Sequence, residues 1–146
     1  MPGHFMVRHR DVEDLFVDPF HGGILLTEDE CADRVRQVTK AGVTWNRQYL
    51  TPIGNREFIA RMVRNLKGAY LDRQDYARAL RMIDWLLAAQ PEAAQEWRDR
   101  GIVSYQLGNY AQALDDLRAY LGSPSPIGDA EAVRGLIARI EGLAAE

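Results

Sequence analysis

The chain has 146 residues, enough for one ordinary domain that buries about two-thirds of the surface its unfolded form exposes, with 18 Lys plus Arg against 21 Asp plus Glu and a net charge of -3. That balance leaves no basic excess to neutralise a run of phosphates, so nucleic acid is disfavoured as a partner. Cys31 is the single cysteine, which excludes an intramolecular disulfide and fits a reducing compartment.

Met1 is followed by Pro-Gly-His and not by a basic segment with an apolar core, and the apolar runs are only a few residues long. Neither a secretory leader nor a membrane span is expected, which predicts a cytoplasmic protein that does not engage a membrane. In residues 1–26, His4-Phe5-Met6-Val7-Arg8 and Asp14-Leu15-Phe16-Val17-Asp18 are short β-branched and aromatic runs around a polar stretch, the pattern of a two-stranded hairpin. Asp18-Pro19-Phe20-His21-Gly22-Gly23 then reads as a turn-rich exit.

Residues 27–54 open with Thr27-Glu28-Asp29-Glu30, a capping box that starts a helix through Cys31, Val35 and Val38. A connector follows, with Trp45, Tyr49 and Leu50 expected to anchor it on the next helix. Between Asn55 and Arg73, Ile59, Met62, Val63, Leu66, Ala69 and Tyr70 recur with helical spacing. After a break at Arg73-Gln74-Asp75, Tyr76, Ala79, Leu80, Ile83, Leu86 and Leu87 mark a second amphipathic helix that must end before Pro91.

The same pattern then repeats. Gln74-Asp75-Tyr76-Ala77-Arg78-Ala79-Leu80 returns 34 residues later as Asn109-Tyr110-Ala111-Gln112-Ala113-Leu114, so residues 55–93 and 94–126 are two copies of one helix pair. Such pairs bury their apolar faces only by stacking on each other. In residues 127–146, Val133, Leu136, Ile137, Ile140 and Leu143 line one face of a last helix, which is expected to cap the stack. The fold class predicted is mainly α: antiparallel helix-pair repeats with a capping helix and a short N-terminal β-hairpin.

In 34-residue frames beginning at Ala60 and Ala94, Leu66, Tyr70, Tyr76, Ala79, Ile83 and Pro91, and then Trp97, Gly101, Tyr110, Ala113 and Leu117, resemble the signature of the tetratricopeptide repeat. Ala79 and Ala113 are small because paired helices approach most closely there. Lys67 stands where the first copy would carry glycine, and Ser104 replaces the tyrosine expected in the second. Upstream, Pro2-Gly3-His4-Phe5, Asp18-Pro19-Phe20-His21-Gly22-Gly23, Tyr49-Leu50-Thr51-Pro52 and Asn55-Arg56-Glu57 resemble the SirB-type bacterial family, in which tetratricopeptide repeats follow a transglutaminase-like core.

That resemblance implies a cysteine thiolate nucleophile, a histidine base and an orienting aspartate, in that chain order. His4 would match the histidine and Asp18 the aspartate. No cysteine precedes them, and Cys31 comes after both. His4 and Asp18 are therefore vestigial candidates, and catalysis by this chain is not expected. Met1 is then either an internal methionine of a longer protein or the start of a shortened gene product. His4, His9, His21, Asp18 and Cys31 lack metal-ligand spacing, so neither a metal nor a cofactor is expected.

The first helix of each pair faces the inner side of such a stack, a surface that takes peptides. The frame aims Arg61, Arg64 and Arg98 there, with Asn65 and Tyr105 close by. Three guanidinium groups suggest a partner protein or peptide with carboxylates or phosphates. Glu57 with Arg61 and Glu96 with Arg100 stand four apart and could satisfy some of that charge locally. The function read from the sequence is a non-catalytic protein-interaction module that binds an acidic segment. The alternative is a C-terminal fragment of a transglutaminase-like acyltransferase or protease whose nucleophile lies in a missing segment. Homodimerisation is a further expectation, because a lone hairpin has open edges and the apolar residues Phe5, Val7, Leu15 and Val17 to cover.

Overall fold

The computed structural model describes residues 5–9, 11–12, 14–38, 44–124 and 128–143. The chain divides into two compact units, Met1–Gly54 and Asn55–Glu146. Among the described residues no helix is long and apolar enough to cross a membrane.

In the first unit, β1 (Val7–Arg8), β2 (Phe16–Asp18) and β3 (Ile24–Leu26) form an antiparallel sheet in sequence order, with Val7 opposite Val17, and Phe16 opposite Leu26. The hairpin expected from the sequence is thus extended by a third strand. Alternation along β2 buries Phe16 and Asp18 and leaves Val17 partly open. Helix α1 (Glu28–Val38) starts at the expected capping box: Thr27 N donates to Glu30 Oε2 at 2.7 Å, and Glu30 N donates back to Thr27 Oγ1 at 3.4 Å.

Cys31 and Val35 on α1 meet Phe16 and Leu26 from the sheet. Met6, Trp45, Tyr49 and Leu50 pack around this cluster. The connector residues Trp45, Tyr49 and Leu50, expected on the first repeat helix, thus pack on the cluster of the N-terminal sheet and α1.

The second unit is a series of antiparallel helices: α2 (Asn55–Asp72), α3 (Tyr76–Ala89), α4 (Ala94–Gln106), α5 (Tyr110–Leu121) and α6 (Ala130–Leu143). Asp75 caps α3 by accepting from Arg78 N at 3.2 Å. Gly108, with φ of 77°, takes the left-handed conformation that lets α4 end and α5 begin two residues later.

Ala60, Val63, Met82 and Leu86 fill the α2–α3 contact, and Ala79, Ile83, Leu87 and Val103 the α3–α4 contact. Ala113, Leu117, Tyr120, Val133 and Ile140 close the stack under α6. Ala79 and Ala113 are both fully buried, as the close approach of paired helices requires. Full burial of each Ile or Leu here contributes roughly 1.5–3 kcal/mol.

Candidate functional site

Asp18 ends β2 with its side chain fully buried. The residues after it form a single turn of 3-10 helix, Pro19–His21, in which proline pre-sets the first φ and Gly22, at φ of 71°, reverses the chain. This turn aims backbone donors at the carboxylate: Phe20 N reaches Asp18 Oδ1 at 2.9 Å and His21 N reaches it at 3.3 Å. The other oxygen, Oδ2, lies 2.8 Å from His21 Nδ1 and 3.8 Å from Arg34 Nε.

A buried carboxylate is stable only when paired in this way. Such a group can fix an imidazole in one orientation. His21 is the imidazole seen beside it, half-exposed, whereas His4 lies outside the described residues.

Cys31 is fully buried on α1, and its thiol is pushed up to about 11, first by burial and then by the charges of Glu30 and Asp18. A thiol held protonated is a poor nucleophile at neutral pH. Among the described residues no group of three or more His, Cys, Asp or Glu side chains is placed to hold a metal ion.

On the repeats, Arg64 and Arg98 of the expected partner-binding set are engaged with side chains of the chain itself, in a network that also includes Lys67. Lys67 Nζ sits 2.8 Å from Glu96 Oε2 and 2.7 Å from Asp99 Oδ2, with Lys67 13% and Glu96 5% exposed. Arg64 approaches Glu96 Oε1 at 3.5 Å and donates to Gln90 Oε1 at 2.8 Å. Arg98 donates to Asp99 and, at 2.6 Å, to Asp129 Oδ2, while its guanidinium lies 5.9 Å from the Tyr120 ring centre.

Lys67, Arg64 and Arg98 thus stand against Glu96, Asp99 and Asp129, and the network links α2 and α4 to the residue that precedes α6. Arg61 is half-buried and Asn65 exposed. Tyr105 packs toward the α5–α6 core, 6.0 Å from the Tyr110 ring and with Arg139 5.9 Å from its own ring centre.

The expected local pair of Glu96 with Arg100 gives way to longer-range partners. Glu96 takes Lys67 and Arg64, while Arg100 takes Asp116 and Asp84. The sequence did carry a signal for this network, namely Lys67 in a place that the repeat signature gives to glycine.

The tetratricopeptide repeat profile matches residues 66–138, which span α2 to α6 and contain the 34-residue recurrence. The chain belongs to the tetratricopeptide repeat family. Residues 1–64 match the profile of the transglutaminase-like superfamily, so the two-part resemblance read from the sequence holds. Among curated relatives, a UPF0162 protein of Xylella fastidiosa strain Temecula1 is 36% identical over 139 residues, and one of strain 9a5c is 37% identical over 139 residues. These alignments cover 92% of this tetratricopeptide repeat chain and 49% of each relative. The chain spans about half the length of the curated relatives it matches.

Proposed function

We propose that this chain is a non-catalytic protein–protein interaction module of the tetratricopeptide type. The observation that carries the proposal is a second apolar face on α2. Ala60 and Val63 are buried toward α3, yet Phe58, Ile59, Met62 and Leu66 on the same helix are 41%, 58%, 44% and 46% exposed. An apolar row exposed on a repeat helix is a contact surface. At the other end α6 covers the α5 core.

In its finer form the proposal gives Arg61, Arg64, Asn65, Arg98 and Tyr105 the role of contacting an acidic peptide. Arg64 and Arg98 already neutralise internal carboxylates, so a partner carboxylate would exchange for Glu96, Asp99 or Asp129 with little net gain. The apolar row is therefore the source of affinity, with the arginines a weaker, separate contribution. A second copy of the chain is the competing occupant, which the mass in solution distinguishes.

A second reading is favoured by Asp18, whose buried and fully hydrogen-bonded carboxylate beside an imidazole suits an orienting group in transglutaminase-like chemistry. On this reading the chain is part of an acyltransferase or protease and the thiolate comes from another segment, since Cys31 is buried and protonated. The two readings separate cleanly. Phe58→Ser with Met62→Ser and Leu66→Ser should abolish capture of a partner while helicity is kept. Amide-directed turnover by this chain alone, abolished by Asp18→Asn, would refute the non-catalytic reading.

A further inference from the structure

The 34-residue recurrence sets Ser104 where the first copy carries Tyr70. Tyr70 is half-buried, packs into the clusters on both sides of α3, and holds the Arg78 guanidinium 5.8 Å from its ring centre. Serine is shorter by a whole aromatic ring, and one repeat later the corresponding region is open. A cleft of about 690 Å³ lies where α3, α4 and α5 meet, walled by Leu80, Asp84, Arg100, Ser104, Tyr110 and Asp115. That volume is in the range of small-ligand and side-chain pockets.

Ser104 is 1% exposed, and its hydroxyl is the one buried side-chain polar atom among the described residues without a hydrogen-bond partner. An orphan of this kind is costly to bury and signals a group missing from the site. The charge around it is unbalanced. Arg100 is taken by Asp116 and leans on Asp84 at 3.1 Å, while exposed Asp115 enters no ion pair among the described residues. Among the lining residues the two carboxylates Asp84 and Asp115 thus outnumber the single cation Arg100.

An anion is repelled by such a site, and a purely apolar group would leave the hydroxyl unpaired. What fits is a cation that also donates hydrogen bonds and carries an apolar stem. We propose that the cleft is a recognition pocket for a basic side chain, lysine or arginine, of a partner protein. Its methylene stem lies against Leu80 and Tyr110, its charged end is shared by Asp84 and Asp115, and one N–H is donated to Ser104 Oγ at the floor. The pocket shares no residue with the network of Lys67, Arg64, Glu96, Asp99 and Arg98, and it does not depend on the α2 face.

The test is a titration of the isotopically labelled 146-residue chain, followed by amide chemical shifts at physiological ionic strength. The probes are acetylated, amidated Gly-Lys-Gly and Gly-Arg-Gly, the same lysine peptide with its amine acetylated, and spermidine. The two basic peptides should shift amides in residues 80–84 and 104–115, and the acetylated one should not. Asp115→Asn, at an exposed position, should weaken binding at least fivefold with the spectrum otherwise preserved, and Ser104→Ala should weaken it further. Absence of shifts with both basic peptides, or Asp115→Asn binding as tightly as the parent, overturns the proposal. Shifts with spermidine alone would overturn the partner side chain in favour of a free amine.

Discussion

Arg100 holds the carboxylate of Asp116 through two hydrogen bonds, Nε to Oδ2 at 2.8 Å and Nη2 to Oδ1 at 2.9 Å. One repeat earlier the same two positions carry Leu66 and Met82. The second copy therefore places an ion pair, whose cation also lies 4.7 Å from the Trp97 ring centre, at two positions that are apolar in the first. Breaking a buried pair strands the remaining charge, so Asp116→Ala should cost about 3 kcal/mol in urea unfolding. Arg100→Leu with Asp116→Met, copying the first repeat, should recover most of that loss. Losses that simply add in the double variant would show that the pair is not coupled.

Gly101 sets the α4–α5 distance. A Cβ there would lie 2.7 Å and 2.9 Å from Leu117 carbons and 3.2 Å from the Ala113 carbonyl oxygen. Leu117 is fully buried and cannot retreat without disturbing its neighbours. Gly101→Ala should therefore destabilise the repeats by about 1–3 kcal/mol despite alanine's higher helix propensity. A melting temperature equal to or above the parent's would contradict this packing.

The helical half was readable because its signals are local and doubled. The break at Arg73-Gln74-Asp75 and the stop before Pro91 both appear between α2 and α4 where the periodicity put them. Strand β3 was not readable. Ile24 and Leu25 are exposed, so Ile24–Leu26 shows no alternation of apolar and polar residues to mark a strand. The pairing of Glu96 with Arg100 fails for a physical reason. Four-residue spacing offers a few tenths of a kcal/mol on an open helix face, and Glu96 gains more from Lys67 and Arg64 on another helix, where it is nearly buried. The pairing of Asp18 with His21 was within reach of the sequence, since an Asp-Pro start places the next residues in a turn around the carboxylate.

Cys31 gives a chemical check on the N-terminal unit. Its thiol pKa is raised from 9.0 to about 11. The folded state thus holds the proton more tightly than the unfolded one, and this contribution to stability is full below pH 9.0 and lost as pH rises through about 11. At neutral pH a thiol reagent should react slowly with the native chain and rapidly in urea. Equal rates in both conditions would show that Cys31 is not packed against Phe16 and Val35.

Asp129 gives the opposite pH dependence. The Tyr120 hydroxyl donates to its Oδ1 at 2.5 Å and Arg98 donates to Oδ2, which together hold its carboxyl below the ordinary 3.8. A depressed carboxylate contributes its stability above pH 3.8 and loses it as pH falls through the folded-state value. Thermal melts should therefore show a loss of stability on acidification below about pH 4 that is smaller in Asp129→Asn. An identical acid limb in both proteins would remove Asp129 from the link between Arg98 and Tyr120.

The central claim, an interaction module whose affinity comes from the apolar face of α2, is tested most directly by quantitative affinity capture with the 146-residue chain as bait. Phe58→Ser with Met62→Ser and Leu66→Ser is run beside Arg61→Ala with Arg64→Ala and Arg98→Ala. A defined partner should be retained by the parent chain, lost with the serine variant and weakened with the arginine variant, all three remaining helical by circular dichroism. Retention of the same proteins by the parent chain and the serine variant would contradict the account.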